Sequence, residues 1–390
     1  MKRAIVNYFK GLFLTLLVIA TIVIIYAYSE NAAVHYGDNP IGMQWDKEGP
    51  YVFFEDEDSI SVNYIHGHWD EGLHSEKMQV SLAESPTLST FFPLDKSEFS
   101  FQLKSEFTPP PTNYNDGNKI LAISDIESGY KAFRDLLISH SVIDNQLNWK
   151  FGQNHLVLVG DFVDRGKSTT QVLWFIYKLE QDAKRHGGVV HFIIGNHEIK
   201  NMQGDFKAAS PKYYYLAAVL EKAQIELFGH NSFLGRWIAS KNTMEVINGH
   251  LFVHGGIHPD LAESQLTLES ANQLIRDNYR RPYYPGQAEG DKKILLSPSS
   301  GPSWYRGYFK EDLTQKAVEQ GLAKFGAEAV VVGHTLQPQI NRQFQGKVIA
   351  IDVAHPNDYN LYWPARESQA LLIDGDQYFR LLEDGSQEAI

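Results

Sequence analysis

The sequence of 390 residues contains no cysteine. Disulfide bonds, thiolate metal sites and catalysis by a cysteine nucleophile are therefore excluded. Basic residues are also few relative to acidic ones, since 35 Lys and Arg face 47 Asp and Glu and the formal net charge is −12. Nucleic acid is held mainly by clustered Lys and Arg, and the sequence has no basic arm or stripe, so a general nucleic-acid binder is excluded as well.

Charged residues are missing altogether from residues 11–28, which are apolar along most of their length. The run is long enough to cross a bilayer. Lys2, Arg3 and Lys10 precede it, and this positive charge predicts a membrane anchor with the N-terminus inside and the body exocytoplasmic, in the periplasm of a Gram-negative bacterium. The alternative is a cleaved signal peptide, because Ala27-Tyr28-Ser29 resembles a small-x-small cleavage site.

Residues 30–116 contain no recognisable metal-binding motif. Short β-type runs alternate there with polar breaks and end in Pro109-Pro110-Pro111, which predicts a small β-rich extension followed by a linker. The histidines between positions 66 and 74 match no ligand spacing, so we interpret them as surface residues. The predicted organisation is an anchor or signal peptide over 1–29, the extension and linker over 30–116, and a larger domain over 117–390.

From residue 119 onward, apolar runs typical of strands alternate with amphipathic stretches typical of helices, which predicts an α/β domain. Ile120 to Ile123 and Ala329 to Val332 are two predicted strands, and Tyr130 to His140 is a predicted helix. Five apolar runs end directly in polar blocks: Asp125-Ile126-Glu127, Gly160-Asp161, Gly195-Asn196-His197, His254-Gly255-Gly256 and Gly333-His334-Thr335. Because strand ends meet at the edge of a sheet, we expect these side chains to converge at one rim of one sheet.

The polar blocks supply the ligand types of a site for two divalent metal ions. Asp161 is the predicted bridge, because a carboxylate can bind one cation with each of its oxygens. The other predicted ligands form two sets: Asp125 and Glu127 for one cation, and Asn196, His254 and His334 for the other. Two cations about 3.5 to 4 Å apart lower the pKa of a bridging water and clamp a phosphoryl group, so that a bridging hydroxide attacks phosphorus directly.

Four further residues are predicted to take part in phosphoester hydrolysis. His197 follows Asn196 directly and is the predicted general acid, oriented by the carboxylate of Asp164. Arg165 and Arg306 are the predicted phosphate clamp, because a guanidinium group matches two phosphoryl oxygens. The predicted reaction is metal-dependent hydrolysis of a phosphomonoester.

In order and spacing, the blocks from Asp125 to Thr335 resemble the phosphoprotein phosphatase (PPP) branch of the calcineurin-like metallophosphoesterases. The stretch from Gly301 to Phe309, with Ser240 to Thr243 upstream, resembles the bacterial Shewanella-like phosphatases. The resemblance spans roughly residues 117 to 385. It implies an α/β sandwich of two mixed β-sheets flanked by helices, a bimetal centre, and phosphomonoester substrates, commonly on proteins. By the same resemblance, the ligands, acid pair and arginines named above fall on functional positions of the family, with the exception of Glu127.

The first polar block departs from the family pattern. Where the family has Asp-x-His-Gly, this chain has Asp125-Ile126-Glu127-Ser128. A carboxylate in place of imidazole leaves the first cation with oxygen ligands only, which favours Mn, Mg or Fe over Zn, with Mn preferred. We hypothesise that Glu127 still binds metal, because its length lets it reach the place of the imidazole nitrogen. The added negative charge would slow the enzyme or shift its pH optimum.

Two other functions are compatible with the same residues. A nucleotide or dinucleotide polyphosphate hydrolase would use an equivalent metal centre on a different phosphoester. A membrane-tethered binding or sensor protein would have lost turnover through Glu127, although retention of His197, Asp164 and both arginines argues against it. The predicted partners are a phosphorylated protein or a small phosphoester as substrate, and a membrane through residues 11–28.

Overall fold

The computed structural model describes residues 2–29, 33–104, 106–309 and 313–390. The helices in this part of the chain are α1 Lys2–Ser29, α2 Tyr130–Ser139, α3 Thr169–Arg185, α4 Asn196–Gln203, α5 Pro211–Val219, α6 Phe233–Ala239, α7 Pro259–Glu263, α8 Leu268–Arg276, α9 Asp291–Leu295 and α10 Gln315–Lys324. The strands are β1 Val34–Asp38, β2 Glu48–Phe54, β3 Ser59–His68, β4 Gly72–Ser81, β5 Thr87–Phe92, β6 Ser97–Gln102, β7 Asn113–Tyr114, β8 Ile120–Ile123, β9 His155–Val159, β10 Val189–Ile193, β11 Met244–Ile247, β12 His250–Val253, β13 Ala329–Val332, β14 Asn341–Gln343, β15 Val348–Ala350, β16 Asn360–Trp363, β17 Gln369–Asp374, β18 Gln377–Leu382 and β19 Gln387–Ala389.

Within the described residues, two mixed sheets of six strands each form the centre of the molecule. The first has the strand order β10-β9-β8-β17-β18-β19, and the second has the order β14-β15-β13-β12-β11-β7. Strands β8, β9 and β10 run parallel to one another, as do β12, β13 and β15. Parallel neighbours present their carboxyl ends at the same edge, so each sheet has an edge where loops from distant parts of the sequence meet. The predicted α/β fold with two mixed sheets and flanking helices is confirmed.

A buried apolar layer fills the space between the two sheets. Ala122 and Val157 of the first sheet belong to the same cluster as Phe252 and Val331 of the second, and all four are 0% exposed. Side chains alternate along a strand, so the opposite face of each sheet needs its own cover. Leu156 lies on that other face and belongs to a second apolar cluster, to which helix side chains such as Phe175 contribute. Packing on both faces fixes the strand ends on which the polar blocks lie.

The predicted β-rich extension packs closely against the two sheets and their helices. Strands β2, β3 and β4 form an antiparallel sheet, and β5 and β6 form a hairpin. The ring of Phe101 stacks on that of Trp174 in α3 with 4.5 Å between centroids. Buried Glu48 forms an ion pair with Lys212 of α5 at 2.9 Å. Strand β7 lies in the predicted linker, yet it pairs with β11 because its extended backbone finds an open sheet edge there.

Helix α1 covers the predicted apolar span. Its segment Lys2–Ala27 is long and apolar enough to cross a membrane, and it is not buried against the rest of the protein. Phe13, for example, is 68% exposed. This length and composition, near the N-terminus, are compatible with a membrane anchor or with a signal sequence.

Candidate metal centre and active site

The polar blocks lie together where the carboxyl edges of the two sheets adjoin. Asp125, Asp161 and Asn196 follow strands β8, β9 and β10 of the first sheet, whereas His254 and His334 follow β12 and β13 of the second. The side chains converge as expected, but the expectation that they do so at the rim of one sheet was wrong, because the parallel strands are divided between two stacked sheets. A pocket of about 300 Å³ opens here, and the predicted site residues that line it are Asp125, Glu127, Asp161, Arg165, Asn196, His197, Arg306 and His334.

The backbone at these strand ends adopts a conformation that few side chains tolerate. Positive φ angles occur at the non-glycine residues Asp125, Glu127, Ser128, Asp161, Asp164, Arg165 and His334. Each such backbone conformation costs of order 1–3 kcal/mol, and strain of this kind tends to be retained at functional sites. Gly160 also has a positive φ, of 80°. A Cβ at Gly160 would lie 2.6 Å from Gly195 Cα and 2.7 Å from His254 Nδ1, so a larger residue would push the ligand loops apart.

Glu198 holds two of the ligand turns together. Its carboxylate accepts hydrogen bonds from the backbone N–H groups of Asp161 at 3.0 Å, Phe162 at 2.8 Å and Gly195 at 2.9 Å. Burial, together with the charge of Asp161, raises the pKa of Glu198 to about 7. No role was predicted for Glu198, although a glutamate at the third position of a helix is a known capping signal.

One group of acidic and histidine side chains in the described part of the chain is close enough to share a metal ion. Its ligand atoms come from Asp161, His254 and His334, and all lie within 4.8 Å of one another. His254 Nδ1 donates to the Val159 carbonyl at 2.7 Å, and His334 Nε2 donates to the Trp304 carbonyl at 3.0 Å. These bonds orient both rings and leave His254 Nε2 and His334 Nδ1 as the atoms available to a metal.

The amide group of Asn196 lies among the same ligand atoms. Its oxygen lies 3.1 Å from His254 Nε2 and from Asp161 Oδ2, and 2.9 Å from His334 Nδ1, while its nitrogen lies 2.9 Å from Lys200 Nζ. Hydrogen bonding alone would favour the opposite rotation of the amide, because an oxygen cannot bond to acceptors nor an NH₂ group to an ammonium group. The donor set of one carboxylate, two imidazole rings and one amide fits a divalent metal ion, with the amide oxygen turned toward it.

The electrostatic field of the site favours positive charge at this point. Burial would raise the pKa of Asp161, but His254 and His197 hold that pKa well below its usual range. Burial and the charge of His254 lower the pKa of His334 to about 2, so its Nδ1 carries a free lone pair at neutral pH. Burial also acts to lower the pKa of His254, yet Asp161 and Asp125 outweigh it and raise that pKa to about 10. A field that attracts a proton in this way also attracts a metal cation.

Asp125 and Glu127 line the same pocket but do not join this ligand group. Asp125 Oδ2 accepts from the backbone N–H of His334 at 3.0 Å, and Glu127 forms an ion pair with the guanidinium group of Arg165. Burial raises the pKa of Asp125 to about 6 and that of Glu127 to about 7. Asp352 is a fourth carboxylate in the pocket, beside Asp125, Glu127 and Asp161, and burial together with Asp125 and Glu127 raises its pKa well above the usual range.

Asp352 was not predicted from the sequence. The signal was present, because the apolar run Val348 to Ile351 also ends directly in an acidic residue. Buried carboxylates that raise one another's pKa are unfavourable as anions, and a bound cation relieves the repulsion. The donor atoms of Asp125, Glu127, Asp161 and Asp352 are all oxygen. This set therefore fits a hard divalent cation, in addition to the cation that the two imidazole rings would bind.

The predicted acid pair is in direct contact. His197 Nδ1 lies 2.7 Å from Asp164 Oδ2, and Asn201 Nδ2 donates to the other oxygen of that carboxylate at 2.8 Å. The backbone N–H of His197 donates to Asp161 Oδ1 at 2.9 Å, which ties the pair to the ligand group. Burial opposes protonation of His197, but the bond to Asp164 and the charge of Asp161 raise its pKa.

Positive side chains surround the mouth of the pocket. Arg165 and Arg306 were predicted there, while Lys200 and Arg366 were not. Arg306 donates to Thr335 Oγ1 at 3.0 Å and to the His334 carbonyl, so its guanidinium group is held beside a metal-ligand candidate. Four cationic side chains above a set of carboxylates form an arrangement that attracts an anion once the carboxylates hold metal.

Comparison with known proteins assigns the chain to a family. Residues 118–338 match the calcineurin-like phosphoesterase family. The crystal structure of the cold-active protein-tyrosine phosphatase of a psychrophilic Shewanella species is 31% identical, with a TM-score of 0.76, and the match covers 88% of this chain and 98% of that one. The chain belongs to the calcineurin-like phosphoesterase family. The resemblance predicted from the polar blocks is thereby confirmed.

Two further relatives of this calcineurin-like phosphoesterase are Shewanella-like phosphatases. Shewanella-like protein phosphatase 2 of Arabidopsis thaliana is 26% identical over 316 residues, which are 67% of this chain and 76% of the relative. Shewanella-like protein phosphatase 1 of Plasmodium berghei is 27% identical over 254 residues, which are 61% of this chain and 66% of the relative. The match to the solved Shewanella structure extends beyond residues 118–338, since only 12% of this chain lies outside it.

Proposed function

We propose that this phosphoesterase is a metal-dependent protein phosphatase whose reaction takes place in the pocket beside Asp161. The main supporting observation is that the ligand atoms of Asp161, His254 and His334 all lie within 4.8 Å of one another, with the amide group of Asn196 in contact with all three. Phosphoester hydrolysis at neutral pH requires a strong nucleophile and neutralisation of phosphoryl charge. Two divalent cations would meet both requirements, because they would lower the pKa of a bound water and neutralise charge on the phosphoryl oxygens. The oxygen-rich ligand set that includes Asp125 and Glu127 supports Mn as the preferred metal.

The side chains around the cations have separate proposed roles. Asp161 would be shared by the two cations, Asn196, His254 and His334 would complete one site, and Asp125 and Glu127 would complete the other. Arg165 and Arg306 hold the phosphoryl oxygens, because guanidinium groups pair with two oxygens at once. Arg306 is already fixed by its bond to Thr335 Oγ1.

His197 is the proposed general acid. Its Nδ1 proton is held by Asp164, and the proton on Nε2 is given to the oxygen of the departing alcohol. The imidazolium form of His197 is the one that can donate, and its hydrogen bond to Asp164 favours that form by raising the pKa. Asp164, fixed in turn by Asn201, acts as the positioning residue.

Phosphorylated proteins are the proposed substrates. The solved relative from Shewanella is described as a protein-tyrosine phosphatase, which supports phosphotyrosine as the first substrate to test. Phosphoserine peptides and a dinucleotide polyphosphate are the informative comparisons, because the same metal chemistry can act on all of them.

Turnover by the full-length protein in detergent, loaded with Mn, Mg or Zn, tests this function. We expect hydrolysis of a phosphotyrosine peptide and of an aryl phosphate. His197→Ala should lower kcat about 100- to 10,000-fold, as expected for loss of a general acid, without loss of bound metal. Asp161→Asn should lower both kcat and metal content, because it removes the proposed bridge.

His68→Ala is the matched control, since His68 is exposed on the β3–β4 hairpin and should leave kcat unchanged. Unchanged rates in His197→Ala or Asp161→Asn would reject the assigned roles. Faster turnover of the dinucleotide than of every phosphopeptide would instead favour the nucleotide polyphosphate hydrolase.

We further propose that α1 is an uncleaved anchor that holds the enzyme at a membrane with the catalytic body exocytoplasmic. The length and composition of Lys2–Ala27 support a span, and Lys2, Arg3 and Lys10 support an inside N-terminus. The substrates would then be phosphoproteins exposed on the same side of the membrane.

A further inference from the structure

The two-stranded ribbon of β1 and β16 carries an apolar face that is open to solvent. Val34 in β1 lies opposite Trp363 in β16, and an irregularity in β1 sets Tyr36 and Gly37 opposite Leu361. Paired residues and residues two apart share a face of a ribbon, so the four apolar side chains of this set lie on one side, called here the ribbon face. Their exposed fractions are 67% for Val34, 65% for Tyr36, 40% for Leu361 and 55% for Trp363.

The ribbon follows the proposed membrane span closely along the chain. The apolar segment of α1 ends at Ala27, and β1 begins at Val34, so only residues 28–33 separate the two. A fully extended chain covers at most about 3.6 Å per residue, which places the start of β1 within about 25 Å of the end of the span. The surface of the bilayer is therefore within reach of the ribbon whenever α1 spans that bilayer.

The residue types of the ribbon face suit the boundary between lipid and water. Trp and Tyr are enriched there because their rings have an apolar body and a polar tip, and the face presents Trp363 and Tyr36 beside two aliphatic side chains. Strands β1 and β16 contain no Lys or Arg, so burial of apolar area, and not attraction to anionic headgroups, would supply the binding free energy. A second copy of the chain or a peptide would also cover apolar area, but neither accounts for a face placed directly after a span.

The opposite side of the ribbon is in contact with a residue of the catalytic pocket. Tyr362 lies on that side, where its ring packs against His35 with 5.6 Å between centroids. The guanidinium carbon of Arg366 lies 3.8 Å from the centre of the Tyr362 ring, and Arg366 lines the catalytic pocket. One side chain therefore separates the ribbon from the pocket, and a ribbon held at a membrane would hold the pocket near it.

We propose that the ribbon face inserts into the headgroup layer of the membrane that α1 spans and holds the catalytic pocket beside the lipid surface. Because the face needs no anionic headgroup, a bilayer of phosphatidylcholine is a sufficient partner. The favoured substrates are then phosphoproteins whose phosphorylated residue lies close to the same membrane. This inference rests on the proposed function, and in particular on the proposal that α1 is an uncleaved anchor.

A single fluorescent label on the ribbon face tests the proposal in the full-length protein, because the sequence contains no cysteine of its own. Tyr36→Cys is labelled with nitrobenzoxadiazole and reconstituted in phosphatidylcholine vesicles. We expect a blue shift of its emission, quenching by lipids that carry a nitroxide near the headgroup, and protection from iodide in the water. Asp376→Cys is the matched control. It lies on the exposed β17–β18 turn, beyond the pairing of Ile373 with Ile120, and therefore at the sheet edge opposite the pocket. It should stay accessible to iodide and unaffected by the lipid nitroxide.

Equal iodide access at the two labels, with no nitroxide quenching at Tyr36→Cys, would overturn the inference and leave the anchor intact. Protection from iodide without nitroxide quenching would also overturn it, since the cover would then be protein, either a second copy or, if added phosphopeptide is required, a substrate. Protein that does not float with the vesicles would overturn the anchor and the inference together, whereas absent phosphatase turnover would overturn the proposed activity alone. Should Tyr36→Cys fail to fold, Leu361→Cys reports on the same face and must meet the same criteria.

Discussion

Glu127 is the residue at which this chain departs from the pattern of its family, and its contacts are consistent with two roles. It lines the pocket of the candidate metal centre and also pairs with Arg165, a proposed phosphate ligand. Burial raises its pKa to about 7, with Arg165 opposing and Asp125 and Asp161 adding to the shift. A carboxylate in this position either binds metal and frees Arg165 for phosphate, or holds Arg165 and leaves the first cation site with fewer ligands.

The hypothesis that Glu127 binds metal leads to a prediction about stoichiometry. Glu127→Ala should lower the bound Mn from two ions per chain toward one, because the first site loses a ligand, and kcat should fall with it. Glu127→His should keep two ions and shift the preference toward Zn, since imidazole nitrogen suits Zn better than carboxylate oxygen does. Elemental analysis after dialysis, together with rates in each metal, measures both effects.

Arg165→Gln is the control for the ion pair. It should raise KM for an aryl phosphate while keeping both metal ions, because Arg165 is proposed to bind phosphate and is not a proposed metal ligand. Metal content that does not change in Glu127→Ala would contradict the hypothesis and leave Glu127 as a partner of Arg165 alone.

At the scale of the elements, Asp358 joins the starts of two helices. Its carboxylate accepts from the N–H groups of Tyr130 and Lys131 in the first turn of α2, both at 2.9 Å, and from the hydroxyl of Ser168 before α3 at 2.6 Å. Ser168 is the N-cap residue of α3, yet its hydroxyl bonds to Asp358 and not to a backbone N–H of that helix. Asp358 thus fixes the two helices that cover the first sheet.

Loss of this carboxylate should destabilise the protein. Asp358→Ala leaves two N–H groups and one hydroxyl without their partner, and we expect the free energy of unfolding to fall by about 1–3 kcal/mol. Urea unfolding followed by circular dichroism measures this. Asp376→Ala, at an exposed turn, is the control and should stay within about 0.5 kcal/mol of the parent protein.

The ionisation of Asp358 adds a pH dependence with a definite sign. Burial raises its pKa to about 6, above the value near 3.9 expected in the unfolded chain. Between about pH 4 and pH 6 the folded state therefore binds more protons than the unfolded state, and stability falls as pH rises. Asp358→Asn removes this contribution, so the parent protein should lose stability relative to Asp358→Asn across that range. A constant difference between the two would argue that the pKa of Asp358 is the same in the folded and unfolded states.

At the scale of the whole molecule, the orientation of the chain in a membrane is open to a direct test. The sequence contains no cysteine, so a single introduced thiol is the only site for a membrane-impermeant maleimide. Asp376→Cys lies on the exposed β17–β18 turn of the body, and Lys2→Cys lies at the start of α1. In bacterial spheroplasts we expect Asp376→Cys to label at once and Lys2→Cys to label only after permeabilisation.

Labelling of both positions in intact spheroplasts would contradict the proposed topology. A mature protein that lacks residue 2 altogether, detected by mass, would instead identify α1 as a cleaved signal sequence. Either result bears on which phosphoproteins the enzyme can reach, because a phosphatase acts only on substrates that share its compartment.

The sequence by itself determined the chemistry of the site and the local structure around it. Ile120 to Ile123 and Ala329 to Val332 were predicted as strands and form strands with those bounds, and the helix predicted from Tyr130 ends one residue earlier than expected. These features depend on the spacing of apolar residues and on residue types that are close in sequence. They can therefore be predicted from short stretches of the sequence. The ligand types follow from the same blocks, although their roles stay predictions until metal and activity are measured.

Only the tertiary structure decided which groups meet. The polar blocks are divided between two sheets, and Asp352 joins them in the pocket. Glu198 is bonded to two ligand turns, and Glu48 is buried against Lys212. Each of these contacts joins residues that are remote in sequence or in different elements. Such contacts are selected by packing and by the need of buried polar groups for partners. No short-range pattern encodes either requirement, so the shape of the pocket became visible only in the folded chain.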